Sequence, residues 1–253
     1  MNMRGNTIFI TGGTSGIGKG LAEAFHQLGN TVIITGRREG RLKSICEAHP
    51  SMHHFVLDVT DPEAIGRVSR EAVARFPGLN CVFNNAGVQT GHDFSAQEPL
   101  DDAAIAEEID TNVLGVIRVA GAFLPHLRKK ENGVLLNVSS GLAFVPLARF
   151  PVYCATKAAV HSLTLSMRKQ LEGSGVQVIE LIPPYVATEL GGPRKSDSAN
   201  AGAPAAMPLD LFIAESMKEL AAGGEEVTIG MAKNLVGAAG TDGFKKVFAG
   251  MNR

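Results

Sequence analysis

Short apolar runs alternate along the chain with longer segments whose apolar positions recur at helical spacing. Strands are predicted at 7–11, 31–35, 54–58, 80–84, 133–139 and 176–182. Helices are predicted at 17–28, 39–48, 62–75, 101–129, 152–173 and 208–220. Nearly every strand position is apolar, which is typical of strands that are buried on both faces. The pattern therefore predicts an α/β fold in which helices cover both faces of a parallel sheet.

One domain is expected, since no linker interrupts this alternation over residues 1–253. The stretch 190–206 departs from it, because it is rich in glycine, alanine, proline and serine. Such a stretch after the last clear strand predicts a mobile loop over a substrate site, and a disordered insertion is the alternative. Beyond residue 224 the pattern is weak, and no glycine-rich seventh strand is recognisable.

The charge balance argues against several classes of partner. Lys plus Arg number 24 and Asp plus Glu number 25, which gives a net charge of -1. Neither nucleic acid nor an anionic membrane is an expected partner at this balance. The three cysteines are widely spaced, so neither a metal site nor a disulfide framework is expected. No apolar run approaches the roughly 20 residues of a membrane span, and we expect a cytoplasmic protein.

The predicted helix at 101–129 is apolar on more than one face around residues 113–124. A surface helix normally carries a single apolar stripe. The wider apolar surface indicates either burial against a second subunit or burial within the monomer. The pattern by itself favours neither of the two.

A glycine-rich turn joins the first predicted strand to the first predicted helix. It contains four glycines within seven residues, Gly12, Gly13, Gly16 and Gly18. Backbone N–H groups in such a turn, at the N-terminus of a helix, suit the pyrophosphate of a dinucleotide. The other members of this candidate phosphate site are Thr14, Ser15 and Ile17. A purely structural turn is the alternative, and the density of glycines at this junction argues against it.

The end of the second strand indicates which dinucleotide is preferred. An acidic residue about 20 residues beyond the glycine turn would accept hydrogen bonds from the ribose 2′-hydroxyl of NAD. Arg37 and Arg38 end this strand, and the first acid is Glu39. The Arg37 guanidinium presents a fork of donors that suits a 2′-phosphate. The sequence therefore favours NADP(H), with NAD(H) as the other candidate cofactor; merely solvated arginines are the alternative.

Tyr153 and Lys157 open the long predicted helix after the fifth strand. Residues four apart lie on one face of a helix, so the phenol and the ammonium can enter the same pocket. A nearby cation stabilises a phenolate and lowers its pKa toward the range in which it exchanges protons. Ser140 follows the fifth strand, where its hydroxyl would donate to a substrate carbonyl. The alternatives are a chance tyrosine–lysine spacing and a serine that caps a turn.

These motifs resemble those of the classical short-chain dehydrogenase/reductases over about residues 6–190. The resemblance rests on TGGTSGIG (11–18), NNAG (84–87), Asn112, Ser140 and YCATK (153–157), in that family's order and spacing. It implies a doubly wound Rossmann fold with a parallel sheet of about six or seven strands. It also implies that Tyr153 is the general acid/base, that Ser140 orients the substrate oxygen, and that Lys157 holds the nicotinamide ribose. Asn112 would present its main-chain carbonyl at a helix irregularity, for a water-mediated proton relay to Lys157.

The same resemblance implies further contacts with the cofactor. Asp58 and the backbone of Val59 would meet the adenine. The remaining implied contacts come from Asn85, Ala86, Gly87, Val186 and Thr188, besides Tyr153 and Lys157.

Two features depart from the family pattern. Pro183 and Pro184 stand where the family usually has Pro-Gly, and the second proline lacks the conformational freedom of glycine. The unrecognisable seventh strand makes the family's tetramer less expected than a homodimer formed through the helices at 101–129 and 152–173. A closer resemblance, over 137–146 and 182–184, is to a bacterial subgroup associated with D-alanine esterification of teichoic acids.

The predicted function is hydride transfer between NADP(H) and a small carbonyl or alcohol substrate, by a reductase or dehydrogenase that uses no metal. Apolar residues at 142–150, directly after Ser140, predict a substrate wall that suits apolar or aromatic carbonyls. The alternative is an acidic substrate paired with Arg149, Arg194 or Lys195, although solvated loop charges are the favoured interpretation of these residues. One alternative is a non-catalytic protein that senses dinucleotides, which would be expected to lose the catalytic groups. The other is an epimerase or dehydratase of nucleotide sugars, a class that tends to carry a larger C-terminal domain.

Overall fold

Seven parallel strands form one sheet in the computed structural model, which describes residues 1–190, 205–241 and 243–252. The strands are β1 (Thr7–Ile10), β2 (Thr31–Gly36), β3 (Met52–Val56), β4 (Leu79–Asn84), β5 (Gly133–Val138), β6 (Val176–Ile182) and β7 (Glu226–Thr228). The helices are α1 (Gly16–Gln27), α2 (Glu39–Ala48), α3 (Pro62–Arg75), α4 (Asp102–Ile109), α5 (Gly115–Leu127), α6 (Pro151–Gln170), α7 (Leu209–Ala222), α8 (Ala232–Ala238) and α9 (Gly243–Met251).

The order of the strands creates the place where a site can form. The sheet runs β3-β2-β1-β4-β5-β6-β7, so the chain moves outward from β1 on one side and then returns to start again at β4. The loops that leave β1 and β4 therefore diverge to opposite faces. In sheets of this kind a crevice opens at that point, beyond the carboxyl ends of the strands.

Both faces of the sheet are buried, because successive strand residues point to opposite sides. Ile8 and Ile10 pack with the apolar residues of α1, α2 and α7 on one face. Phe9, between them, packs with those of α3, α5 and α6 on the other face. The aromatic rings of Phe9 and Phe123 meet in this second cluster, with 4.6 Å between their centroids. Two cores on a shared sheet hold the carboxyl edge in a fixed shape.

The predicted doubly wound parallel sheet is confirmed, with three local differences. β3 covers Met52–Val56 rather than 54–58, which leaves Asp58 beyond the strand. The helix expected at 101–129 is divided by a π-helical turn at Asp110–Leu114. A seventh strand, which the sequence did not reveal, pairs with β6 through only three residues.

Two expectations about the rest of the chain have separate outcomes. The predicted loop at 190–206 lies mostly outside the described residues, which stop at 190 and resume at 205. Across the described ranges, no helix combines the length and the apolar character that crossing a bilayer requires.

The N-terminus of α3 offers a direct test of a local stabilising contact. Asp61 Oδ1 accepts hydrogen bonds from the backbone N–H groups of Glu63 (2.9 Å) and Ala64 (3.0 Å). Asp61→Ala is expected to lower the free energy of unfolding by about 1 kcal/mol, because these donors lose their cap. Urea denaturation measures the loss. Asp61→Asn keeps an acceptor oxygen and should lose much less, so an equal loss in both variants would contradict the capping argument.

Candidate active site

The glycine-rich turn between β1 and α1 lies at the crevice. Gly12 has a φ of 67°, and a Cβ there would lie 2.8 Å from the Cα of Ala86. A Cβ on Gly18 would collide with the Asn85 amide nitrogen and the Gly12 carbonyl oxygen. The turn therefore packs directly on the segment that leaves β4, and only glycine fits at these two contacts.

Thr11 stabilises the contact between the glycine-rich turn and the segment that leaves β4, although the sequence analysis did not identify it as a site residue. Its hydroxyl oxygen accepts hydrogen bonds from the backbone N–H groups of Asn85 (3.0 Å) and Ala86 (3.1 Å). The Asn85 amide in turn donates to the carbonyl oxygens of Thr11 (2.9 Å) and Gly12 (3.2 Å). These four bonds fix the predicted residues 85 and 86 against the turn.

The N-terminus of α1 is lined with hydrogen-bond donors. Ser15 occupies the cap position, and within the described part of the chain no side chain caps the first turn of α1. The Arg38 guanidinium donates to the hydroxyls of Thr14 (3.1 Å) and Ser15 (3.4 Å). Ile17, the second residue of α1, packs against the core on the α1 side of the sheet. Free N–H groups, hydroxyls and a guanidinium at one helix end form an anion-binding arrangement.

Both candidate arginines form ion pairs that cross the crevice. Arg37 lies 3.0 Å from a carboxylate oxygen of Glu107, and Arg38 lies 3.8 Å from one of Glu189. Arg41 reaches the same Glu189 oxygen at 3.0 Å. Of the two predicted arginines, Arg38 is therefore the one that contacts the glycine-rich turn. Neither glutamate was anticipated, because each lies far along the chain from its arginine.

Asp58 and Val59 lie on the loop that follows β3. The carboxylate of Asp58 accepts hydrogen bonds from the backbone N–H (3.0 Å) and the hydroxyl (2.8 Å) of Thr60. Val59 is buried, and a Cβ on Gly115 would lie 3.1 Å from its carbonyl oxygen. Asp58 thus caps its own loop, and this role is compatible with a position beside the crevice.

The segment after β6 closes the other side of the crevice. Val186 forms a bridge with Met207, and Thr188 approaches the glycine turn, where a Cβ on Gly16 would lie 3.2 Å from it. Pro183 accepts a hydrogen bond from the N–H of Gly141 at 2.9 Å. The structure therefore brings the residues predicted after β6 to the same edge as the phosphate turn.

Asn112 lies in the π-helical turn and is buried. Its side chain accepts a hydrogen bond from the Val88 N–H and donates one to the Val88 carbonyl, both at 2.9 Å. It also donates to the hydroxyl of Thr156 on α6 at 3.1 Å. The helix irregularity expected at this residue is present, and π-helical turns often occur at functional sites.

Ser140 is a neighbour of Tyr153, and hydrogen bonding by its side chain lowers the pKa of the phenol. The Ser140 hydroxyl also accepts a hydrogen bond from the Leu142 N–H at 3.1 Å. Burial raises the pKa of Tyr153 well above its usual value, and the Ser140 hydrogen bond opposes that effect. Ser140 therefore caps the short helix Gly141–Ala143, as one of its two predicted roles requires, and it also lies beside Tyr153.

Lys157 lies one helical turn beyond Tyr153 and is also buried. Its ammonium donates to the Val138 carbonyl at 2.8 Å and lies 5.6 Å from the centroid of the Tyr153 ring. Burial lowers the pKa of Lys157 to about 8, and the carboxylate of Glu180 opposes that change. A Cβ on Gly87 would lie 3.7 Å from the ammonium, so this glycine borders the same pocket.

Two histidine–glutamate pairs whose carboxylates are buried also occur in this region, and the sequence analysis did not predict either. His92 Nε2 lies 3.2 Å from Glu108 Oε2, and Glu108 also accepts from the Thr90 N–H at 3.0 Å. His161 Nδ1 lies 2.9 Å from Glu180 Oε2. Burial raises the pKa of Glu108.

The apolar wall expected after Ser140 does surround Tyr153. Phe150, Tyr153 and Cys154 form a buried cluster, and Leu142, Leu147 and Leu190 pack against it. Among the described residues, no group of three or more His, Cys, Asp or Glu side chains is arranged to hold a metal ion. The pocket therefore combines apolar walls with the Tyr153, Ser140 and Lys157 side chains.

The chain is similar to several known oxidoreductases. It is 37% identical over 254 residues to DltE of Bacillus subtilis (strain 168), an uncharacterized oxidoreductase, covering 100% of this chain and 98% of the relative. It is 36% identical over 184 residues to serine 3-dehydrogenase of Rhizobium radiobacter, covering 72% of this chain and 73% of that enzyme. The full-length match to DltE agrees with the bacterial subgroup that the sequence resembles.

A solved structure and a family model also indicate similarity to oxidoreductases. A short chain dehydrogenase from Burkholderia cenocepacia J2315, solved in complex with NADP, superposes with a TM-score of 0.83 at 26% identity. The superposition covers 99% of both chains. The family model described as short chain dehydrogenase matches residues 6–199. The chain therefore belongs to the short chain dehydrogenase family of oxidoreductases.

Proposed function

We propose that the protein is an NADP(H)-dependent reductase or dehydrogenase that interconverts a small carbonyl compound and the matching alcohol. The observation that carries the proposal is the buried group of Tyr153, Ser140 and Lys157, in which the Lys157 ammonium lies 5.6 Å from the centroid of the Tyr153 ring. This constellation lies at the edge of the sheet where the glycine-rich turn also lies. A dinucleotide on that turn would bring its nicotinamide toward the pocket.

The chemistry of the crevice fits a phosphorylated dinucleotide. The uncapped N-terminus of α1, the hydroxyls of Thr14 and Ser15 and the Arg38 guanidinium are all donors. The nearest acids, Glu107 and Glu189, are paired with arginines and exposed. A 2′-phosphate would exchange for Glu189 on Arg38, which favours NADP(H) over NAD(H). The Burkholderia relative, 26% identical, is itself a complex with NADP.

When bound, the nicotinamide supplies or accepts the hydride. In the direction of reduction, Tyr153 would donate its phenolic proton to the oxygen that gains negative charge. The raised pKa of Tyr153 keeps it protonated at neutral pH and therefore ready to act as the acid. Ser140 would hold the same substrate oxygen, since its side chain is the neighbour that lowers the pKa of the phenol.

Lys157 and Asn112 would complete the proton path. The ammonium of Lys157 stabilises the phenolate that is left after proton transfer and has room beside Gly87 for a ribose hydroxyl. The π-helical turn at Asn112 frees its backbone from regular helical bonding, which suits the water-mediated relay to Lys157. All four groups are present together, so neither the site nor the comparisons support a dinucleotide sensor without turnover.

The pocket walls favour an apolar substrate. Leu142, Leu147, Phe150 and Leu190 surround Tyr153. Apolar walls exclude water from the reacting carbonyl and strengthen the hydrogen bonds made to it. We therefore propose apolar or aromatic aldehydes and ketones as the first substrates to examine.

We also propose a homodimer that works in the cytoplasm. Ile109 on α4, Ile117 on α5 and Leu165 on α6 are large apolar residues with 42%, 44% and 41% of their surface exposed. They belong to the two helical segments that the sequence marked for subunit contact. Apolar side chains on adjacent helices are better placed in an interface than in water.

Arg38→Ala is expected to weaken NADPH binding about tenfold or more, because a lost charge-assisted hydrogen bond contributes about 1.5–3 kcal/mol. NADH binding should change little. Fluorescence titration with both cofactors measures the difference. Arg37→Ala, whose guanidinium is paired with Glu107, should show a smaller loss. Arg70→Ala removes an exposed charge from α3 and is the matched control. Equal losses for NADPH and NADH would rule out a 2′-phosphate contact.

Tyr153→Phe is expected to lower turnover of a reactive aldehyde about 100-fold or more, while NADPH binding is retained. The phenyl ring keeps the packing and removes only the proton donor. Ser139→Ala is the control, because its buried hydroxyl has no hydrogen-bond partner among the described residues. Consumption of NADPH at saturating cofactor measures turnover. Unchanged turnover in Tyr153→Phe would refute the acid/base role.

Ile117→Glu is expected to convert the dimer to a monomer, because a carboxylate would be buried without a partner at the interface. Size-exclusion chromatography with light scattering measures the mass. Leu211→Glu is the matched control, since Leu211 is equally exposed but lies on α7, which packs against the opposite face of the sheet. A wild-type monomer, or a dimer that survives Ile117→Glu and dissociates with Leu211→Glu, would contradict the proposed interface.

A further inference from the structure

A row of polar residues crosses three central strands beneath α6. Asn84 on β4, Asn137 on β5 and Glu180 on β6 are direct neighbours in the register of the sheet. The Asn84 amide donates to Asn137 at 2.9 Å, and the Asn137 amide donates to the hydroxyl of Thr164 on α6 at 2.9 Å. The two amides thus form a chain of hydrogen bonds, whereas the third member of the row is a carboxylate.

The side chain of Glu180 is fully buried, although only one of its two carboxylate oxygens has a hydrogen-bond partner among the described residues. Its side chain has 0% of its surface exposed. One carboxylate oxygen meets His161 Nδ1 at 2.9 Å, and the other has no hydrogen-bond partner among the described residues. An ionised carboxylate in such surroundings is costly unless a second positive or donating group is close.

Lys157 is a buried cation on the same helix as His161, and the Glu180 carboxylate acts on its charge. It lies one helical turn before His161 on α6, so both side chains point toward the same part of the sheet. Its ammonium is held by the Val138 carbonyl at 2.8 Å. Val138 pairs with Leu181, the residue that follows Glu180. The ammonium and the free carboxylate oxygen therefore lie over adjacent strands, which are about 4.8 Å apart.

We propose that Glu180, oriented by His161, is the counter-charge that keeps the buried ammonium of Lys157 protonated. Glu180 is a positioning residue, and its importance for turnover rests on the function proposed above for Lys157. Burial alone favours the neutral amine, and it lowers the pKa of Lys157 to about 8 even with the Glu180 carboxylate opposing it. Without that carboxylate the pKa would fall further. A larger share of Lys157 would then be neutral at pH 7 to 8.

The other charged groups around Glu180 are engaged elsewhere. Arg168, further along α6, pairs with Glu225 (3.2 Å) and Glu226 (3.4 Å) at the edge of the sheet. Glu226 on β7 is the direct neighbour of Glu180 in the register. Across the pocket, the charge of Glu108 acts on Tyr153, while Glu180 is the charged group that acts on Lys157. This arrangement leaves Glu180 and Lys157 as partners.

The decisive measurement is the pKa of Lys157 in the cofactor-free protein, followed by NMR on protein with 13C-labelled lysine. The Lys157 signal is the one that disappears in Lys157→Met. Glu180→Gln keeps the shape and removes the charge, and it should lower the pKa of Lys157 by about one pH unit or more. Glu180→Asp keeps the charge, so the pKa of Lys157 should stay close to its wild-type value. Glu226→Gln, an equal charge change one strand away, should leave the pKa of Lys157 unchanged.

The outcomes separate this inference from the proposed function. An unchanged Lys157 pKa in folded Glu180→Gln, or equal shifts in Glu180→Gln and Glu226→Gln, would overturn the inference whatever the substrate is. Circular dichroism checks that the variants fold. If Glu180→Gln does not fold, Lys157→Met tests the same coupling from the other side. There the pKa of the Glu180 carboxyl, followed by its 13C signal, must rise, and no rise would overturn the inference.

Discussion

The buried side chain of Asn112 is the contact on which the site depends. Through its bonds to the Val88 N–H and carbonyl it fixes the segment that leaves β4. Through its bond to Thr156 it also fixes α6, because the Thr156 hydroxyl in turn donates to the carbonyl of Tyr153 at 2.8 Å. One amide thus joins the segment after β4, the π-helical turn and the turn of α6 that carries Tyr153. Loss of this amide would leave several buried polar groups unpaired, each at a cost of about 1–3 kcal/mol.

Burial pushes the pKa values of the two central groups in the directions that favour their neutral forms. The pKa of Tyr153 rises, and that of Lys157 falls to about 8. A pocket dry enough to protect hydride transfer would, unaided, remove the cation that the phenolate needs. The fold offsets this with polar neighbours, since Ser140 acts on the phenol and Glu180 acts on the ammonium. The site therefore combines apolar walls with the charged side chains of Lys157 and Glu180.

Local patterns predicted the parts of the site whose members lie close along the chain. The strand-to-helix glycine turn and the i, i+4 pair of Tyr153 and Lys157 are features of this kind. The pairs of His92 with Glu108 and of His161 with Glu180 join residues 16 and 19 positions apart, on different segments of the chain. No spacing rule marks such pairs, because the packing of one segment against another brings them together. β7 was missed for a similar reason, since three residues at a sheet edge carry too little periodicity to recognise.

The segment at 85–87 couples the two halves of the crevice. Asn85 is bonded to Thr11 and Gly12 in the glycine turn, whereas two residues later Gly87 faces the catalytic pocket. A Cβ at Gly87 would lie 3.3 Å from the Asn112 side-chain oxygen and 3.7 Å from the Lys157 ammonium. A side chain there would press on the amide that orders the site and occupy the space beside the ammonium. Gly87 is thus required by the contacts with Asn112 and Lys157, whereas Asn85 is required by the contacts with the glycine-rich turn. Because the two are held in one short segment, a dinucleotide bound to the turn as proposed would be placed in register with Tyr153 without a separate positioning element.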